Sequence, residues 1–238
     1  MNREEQIVFE HLKESYGQNI VFEPEHNSTP DFSVNSSIAV EVRRLNQNFF
    51  EGGKSEGLES LSFPLESAFE EVLNSLNNLY AGKSYWVFID YERPLSSGIR
   101  QAKKDMELAL RKFLDTKATN FPCEISVNSE ITFSIYESNP GNGKLFPVGG
   151  SGDSDAGGWV VSVYVENIRH CINEKSSKIE KRLDKYHEWW LYLVDCTGLE
   201  LSQKETLEVT KEIRSTGNFD KVVVLSYDGQ NIFITLSK

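Results

Sequence analysis

The chain has 238 residues, enough for one sizeable core, and its composition is that of an ordinary globular protein with slightly plentiful aromatics. No apolar stretch approaches the ~18–20 residues of a membrane span, and the opening Met-Asn-Arg-Glu-Glu-Gln does not read as a signal peptide. A formal net charge of −11 repels phosphate, so nucleic acid is disfavoured as a partner unless a local cationic face exists, and a protein partner stays open.

Cys123, Cys171 and Cys196 are widely spaced and form no Cys-x-x-Cys, which points to a reducing compartment such as the cytoplasm and against a zinc site or disulfide framework. In chain order, residues 3–16 read as a helix with Ile7, Val8, Leu12 and Tyr16 as its inner stripe, Asn2 as N-cap and Gly17 at its end. Glu5, near its N-terminus, complements the helix dipole. Residues 19–23 read as a strand, and 24–29 as a loop carrying His26, one of four histidines.

Residues 30–43, Pro-Asp-Phe-Ser-Val-Asn-Ser-Ser-Ile-Ala-Val-Glu-Val-Arg, place two alternating runs around the turn signal Asn35-Ser36-Ser37, which predicts a hairpin. Centred on Ser36, it pairs Phe32 with Val40 and Val34 with Ile38, and sets Asp31 across from Glu41. Phe32, Val34, Ile38, Val40 and Val42 then form an apolar face, and Asp31, Ser33, Ala39, Glu41 and Arg43 the other. Carboxylates directly opposite, with β-carbons roughly 4.5–5.5 Å apart, repel unless water, a cation or a proton relieves them. A hard divalent ion such as Mg2+ (or Mn2+) suits two carboxylates, a backbone carbonyl and waters.

Pro30-Asp31 followed by Glu41-Val42-Arg43 resembles the PD-(D/E)xK nuclease superfamily, the restriction-endonuclease-like fold. The order of an opening helix, a strand and then this hairpin agrees with it. The resemblance implies a magnesium-dependent hydrolase of phosphodiester bonds, an endonuclease binding DNA or RNA. It makes Asp31, Glu41 and the Val42 carbonyl the metal ligands, and Glu5 an accessory acid on the first helix. The chain departs from the pattern at Arg43, where the family has lysine. Arginine keeps its proton, so it offsets charge but does not serve as a base.

Residues 46–62, polar and glycine-rich, read as a mobile loop. Further on, 63–81 reads as a helix, 84–91 as a central strand, 97–115 as a third helix and 124–137 as one or two strands. Residues 138–158 break the composition. Gly143-Lys144 lacks the first glycine and the Ser/Thr of a phosphate loop, and Asp153 and Asp155 lack calcium-loop spacing. This stretch is expected to be a flexible glycine-rich loop in one nuclease-like domain spanning 1–238.

Residues 159–165 read as a strand and 168–186 as a helix with stripe residues Ile168, Ile172, Ile179, Leu183 and Tyr186. Lys175 lies within that apolar stripe and needs either a partner or a route to water. Some nuclease-like families recover the missing lysine from a nearby helix, so the resemblance makes Lys175 a catalytic candidate beside Asp31, Glu41 and Arg43. The basic residues Lys178, Lys181 and Arg182 form a candidate nucleic-acid-binding edge. On this reading Lys175→Met folds and loses activity, and Arg43→Lys is tolerated. Residues 189–195 (strand), 203–216 (helix) and a closing hairpin over 222–225 and 231–236 complete an α/β chain with a mixed central sheet flanked by helices, with insertions. Three readings follow: a metal-dependent nuclease, a catalytically impaired relative serving as a binding or scaffold component in defence or repair, and an acidic protein-binding module.

Overall fold

The structure, a computed structural model, describes residues 1–26, 28–116, 118–139 and 143–238. The described residues divide into two compact units, Met1–Asn48 with Gly157–Lys238 (unit 1) and Phe49–Ala156 (unit 2). Along the chain, unit 2 falls between the two segments of unit 1.

Unit 1 begins with α1 (Arg3–Tyr16), opened by a capping box in which Asn2 accepts from the Glu5 amide and Glu5 accepts from the Asn2 amide. Next come β1 (Ile20–Phe22), β2 (Phe32–Val34) and β3 (Ile38–Leu45). After unit 2, the chain returns with α4 (Val160–Ile179), β10 (Glu188–Asp195), α5 (Gln203–Glu212), β11 (Lys221–Leu225) and β12 (Ile232–Ser237). The strands form one mixed sheet in the order β1-β2-β3-β10-β11-β12. Within it β3, β10 and β11 run parallel, and the other pairs run antiparallel.

The hairpin register pairs Phe32 with Val40 and Val34 with Ile38, as the alternation predicts. Left-handed backbone at Asn35 and Ser36 turns the chain there. Phe32, Val34, Val40 and Val42 join Val8 and Leu12 of α1 in one core layer. Ala39 and Leu45 face the opposite layer, with Ile168, Ile172 and Ile179 of α4 and Val209 of α5. Glu41 and Arg43 alternate with Val40 and Val42, so they lie on the side of the sheet covered by α4. β10, Glu-Trp-Trp-Leu-Tyr-Leu-Val-Asp, is covered on both faces, which explains its nearly unbroken apolar sequence.

Two expectations change in this unit. Residues 159–165, read as a strand from their β-branched run, supply the first turns of α4. Val161, Tyr164, Val165 and Ile168 recur at helical spacing and all face the core, and that packing outweighs local propensity. The helix then tightens at Ile179 into a 3-10 turn, Glu180–Lys185.

Unit 2 contains β5 (Lys54–Gly57), α2 (Glu59–Ser75), β6 (Ser84–Tyr91), α3 (Gly98–Thr116), β7 (Cys123–Ser126), β8 (Ile131–Ser138) and β9 (Val148–Asp153). Paired to β5 across Gly52-Gly53 is β4 (Asn48–Glu51), so part of the expected loop at 46–62 is a two-stranded ribbon. The larger sheet runs β7-β8-β6-β9. Leu65, Phe69, Val72, Met106, Leu110 and Phe113 of α2 and α3 pack against Val87, Ile89, Phe133 and Ile135 on one side of it. Within the glycine-rich stretch 138–158, residues 148–153 form β9 instead of loop, and 140–142 lie outside the described residues. A side chain at Gly149 would place its Cβ 2.5 Å from the Phe88 ring, so glycine lets that ring lie across the edge strand. No helix among the described residues is long and apolar enough to cross a membrane.

Candidate functional site

Asp31 precedes β2 and Glu41 lies within β3, both on the side of the sheet under α4. The Asp31 carboxylate accepts from the Val42 amide at 2.7 Å, which ties it to the neighbouring strand. Glu41 is wholly withdrawn from solvent, at 0% exposure. Lys175 reaches down from α4 and donates to Glu41 Oε2 at 2.6 Å, with its Nζ 3.8 Å from Asp31 Oδ2. One ammonium therefore serves both carboxylates, and this answers how a lysine sits in the apolar stripe of α4. The Lys178 ammonium, from a more exposed side chain, stands 3.7 Å from the same Glu41 oxygen.

Glu41 Oε1 is different: it is buried and has no hydrogen-bond partner among the described residues. An orphaned buried carboxylate oxygen costs free energy and calls for a water or an ion. With Asp31 beside it, the donor set is hard and anionic, and it fits a magnesium-like ion that binds through one or two carboxylates and keeps several waters. No group of three or more His, Cys, Asp or Glu side chains suited to an ion occurs among the described residues. Any ion here would thus rest on the Asp31 and Glu41 carboxylates, completed by waters and the Val42 carbonyl of the sequence reading.

The structure takes Arg43 elsewhere on the same surface. Its Nη2 donates to Glu174 Oε2 at 2.6 Å and lies 3.4 Å from His170 Nε2. Burial pulls the His170 pKa below its usual value, the Arg43 charge lowers it further, and Glu174 opposes the shift. His170 also lines a groove of about 780 Å3 between α4 and α5, with Trp159, Asn173 and Lys211 along it. The sequence reading missed His170 and the pairing role of Glu174. Their signal was the spacing His170, Glu174, Lys178, a ridge one residue ahead of Cys171, Lys175 and Ile179 on α4.

Glu5, the accessory acid of the family pattern, has both carboxylate oxygens engaged with Asn2 in the capping box. Arg182 donates to the Thr29 carbonyl at 2.6 Å and to the Ser28 hydroxyl at 3.0 Å, so it anchors the loop leading to Asp31. Lys185 pairs with Glu25 of the same loop. Of the three expected nucleic-acid contacts, Lys178 and Lys181 are exposed and Arg182 is committed to the protein's own backbone. The three cysteines are free. No family model, curated protein or solved structure matches the chain.

Proposed function

We propose that unit 1 is a restriction-endonuclease-like core that hydrolyses phosphodiester bonds of nucleic acid with magnesium or manganese. The observation that carries this reading is Lys175 held by Glu41 and close to Asp31, beside a buried carboxylate oxygen that has no hydrogen-bond partner among the described residues. It supplies, from a helix, the lysine that the Pro30-Asp31…Glu41-Val42-Arg43 pattern lacks on its strand. Asp31 and Glu41 would hold the ion. Bound there, the ion would polarise the scissile phosphate and the attacking water. Lys175, anchored on Glu41, orients the nucleophile and offsets charge gathering on the phosphate. Arg43 adds a fixed positive charge at the margin, aligned by Glu174. The free cysteines fit a cytoplasmic setting.

The test is cleavage of a mixed pool of single- and double-stranded DNA and RNA with magnesium, manganese or chelator. Metal-dependent cleavage that disappears in Asp31→Asn and Glu41→Gln supports the reading. Calorimetry with magnesium alone should show heat that the same variants abolish. A protein that neither cleaves nor binds the ion is not a nuclease of this kind. The closed Arg43–Glu174 ion pair, together with the net charge of −11, favours a second reading: the same core without turnover, acting as a binding or scaffold component in defence or repair. Metal binding without cleavage is its expected signature.

A further inference from the structure

One face of the unit 2 sheet is covered by α2 and α3; the other is open, and its chemistry is specific. On β6 the exposed residues Trp86, Phe88 and Asp90 alternate with the buried Tyr85, Val87, Ile89 and Tyr91. The register sets Trp86 opposite Tyr136 on β8 and Phe88 opposite Ser134, which in turn faces Glu124 on β7. Trp86, Phe88 and Tyr136 are 38%, 36% and 44% exposed. Tyr136 meets Phe88 edge-on at 5.4 Å and is the direct cross-strand neighbour of Trp86, so the three rings share one face of the sheet. Asp90 stands two residues beyond Phe88, about 6.6 Å along the strand. Asp90 and Glu124 are exposed, and neither forms an ion pair among the described residues. The strands β6, β7, β8 and β9 contain no lysine or arginine at all.

We propose that this face docks a basic peptide segment of a partner protein, with arginine or lysine stems lying on the Trp86–Tyr136–Phe88 surface and their charged heads on Asp90 and Glu124. An aromatic face attracts a cation through its ring quadrupoles, and adjoining free carboxylates add a directed charge partner. Single-stranded nucleic acid also stacks on aromatic sheets, but it requires a cationic track for its phosphates. Here the track would be anionic, so the two ligand classes are separated by charge. Phe88 is held in place for this role by Gly149, where any side chain would collide with its ring. The surface is independent of the carboxylates of unit 1, and its function does not depend on cleavage.

Calorimetry on the full chain with a short arginine–alanine peptide, a glutamate–alanine peptide of equal length and oligo-dT tests the proposal. The arginine peptide alone should bind, and Trp86→Ala should weaken it roughly fivefold or more. Asp90→Asn and Glu124→Gln should each weaken it and flatten its salt dependence. Glu70→Gln, an exposed acid on α2 behind the sheet, should not. If Asp90→Asn does not fold, Glu124→Gln carries the charge test. Equal weakening by Glu70→Gln would mean only a general attraction between an acidic chain and a cation, and would overturn the proposal. So would preferential binding of oligo-dT, or the absence of binding to any of the three.

Discussion

Lys175 donates a 2.6 Å hydrogen bond to Glu41 across the gap between α4 and β3, and Glu41 has no solvent exposure. The two residues are 134 positions apart in sequence, yet each accounts for the other: the lysine has a reason to sit on an apolar stripe, and the carboxylate a reason to be buried. A buried pair contributes little net stability, but removing one partner strands the other.

Lys175→Met is therefore expected to destabilise unit 1 by about 3 kcal/mol, since buried Glu41 would lose its hydrogen-bonded counter-charge and keep only the more exposed Lys178 at 3.7 Å. The sequence alone suggested that this variant would fold normally; the burial of Glu41 changes that expectation. Adding Glu41→Gln to Lys175→Met should recover much of the loss. Urea midpoints for the two single variants and the double variant measure it, and additive losses would mean that the bond is not formed.

Arg43 and Glu174 form a second pair, with Glu174 half exposed, so solvent weakens their coupling. A double-mutant cycle with Arg43→Ala and Glu174→Ala should give about 0.5–1 kcal/mol. Arg43→Lys should retain the charge beside Glu174 but lose the planar guanidinium whose Nη2 also reaches His170. A coupling of zero would release Arg43 to serve substrate instead.

The hairpin was legible because its side-chain period is fixed at two and its turn is polar, leaving one register that buries Phe32, Val34, Val40 and Val42 together. Lys175 was legible as a charge that an apolar stripe does not tolerate unpaired. Residues 159–165 were not, because Val160, Val161, Val163 and Val165 favour extended chain locally and only the packed sheet selects the helix. Nor were the two units: the composition break at 138–158 begins within unit 2 and runs across its end at Ala156, so it reads as a loop, while the boundary near 48 carries no comparable signal. The Arg43–Glu174–His170 cluster depends on how α4 crosses β3, which no local pattern encodes.

His170 gives a pH signature. Burial, and then Arg43, lower its pKa from the ordinary value, and His11 is lowered by burial as well. The unfolded chain therefore takes up protons first on acidification. The stability held by the neutral rings is complete above their unfolded pKa of roughly 6.5 and is lost as pH falls through and below it. Denaturant midpoints should drop between pH 7.5 and 5.5 in steps of roughly half a unit, and less steeply in His170→Gln. An identical slope in that variant would place the effect elsewhere.

Gly149→Ala should destabilise unit 2 by about 1–3 kcal/mol through overlap with Phe88. Phe88→Leu in the same chain should relieve part of that cost. Thermal melting of the two single variants and the double variant reads the coupling. Strict additivity would mean that the Phe88 ring does not rest on β9.

The basic edge of α4 separates into substrate contacts and structural ones. Lys178 and Lys181 have exposed side chains, with the Lys178 ammonium at the edge of the Glu41 site, whereas Arg182 is fixed on the Thr29 carbonyl and the Ser28 hydroxyl. If nucleic acid lies along this edge, each lysine that neutralises a phosphate releases a counterion. Neutralising both in Lys178→Gln/Lys181→Gln should then reduce the slope of log affinity against log salt by roughly 1.4 for single strands and 1.8 for duplex. Glutamine is preferred to a charge reversal because Lys178 stands 3.7 Å from Glu41, and a new carboxylate there would also strain the buried pair. Arg182→Gln should do the opposite: it should loosen the loop that carries Asp31 and lower the melting temperature, with the salt slope unchanged. Filter binding over a salt series, alongside melting curves, distinguishes the three side chains. An unaltered slope in the double variant would leave Lys178 and Lys181 as solvated surface, and nucleic acid would need another path to Asp31 and Glu41.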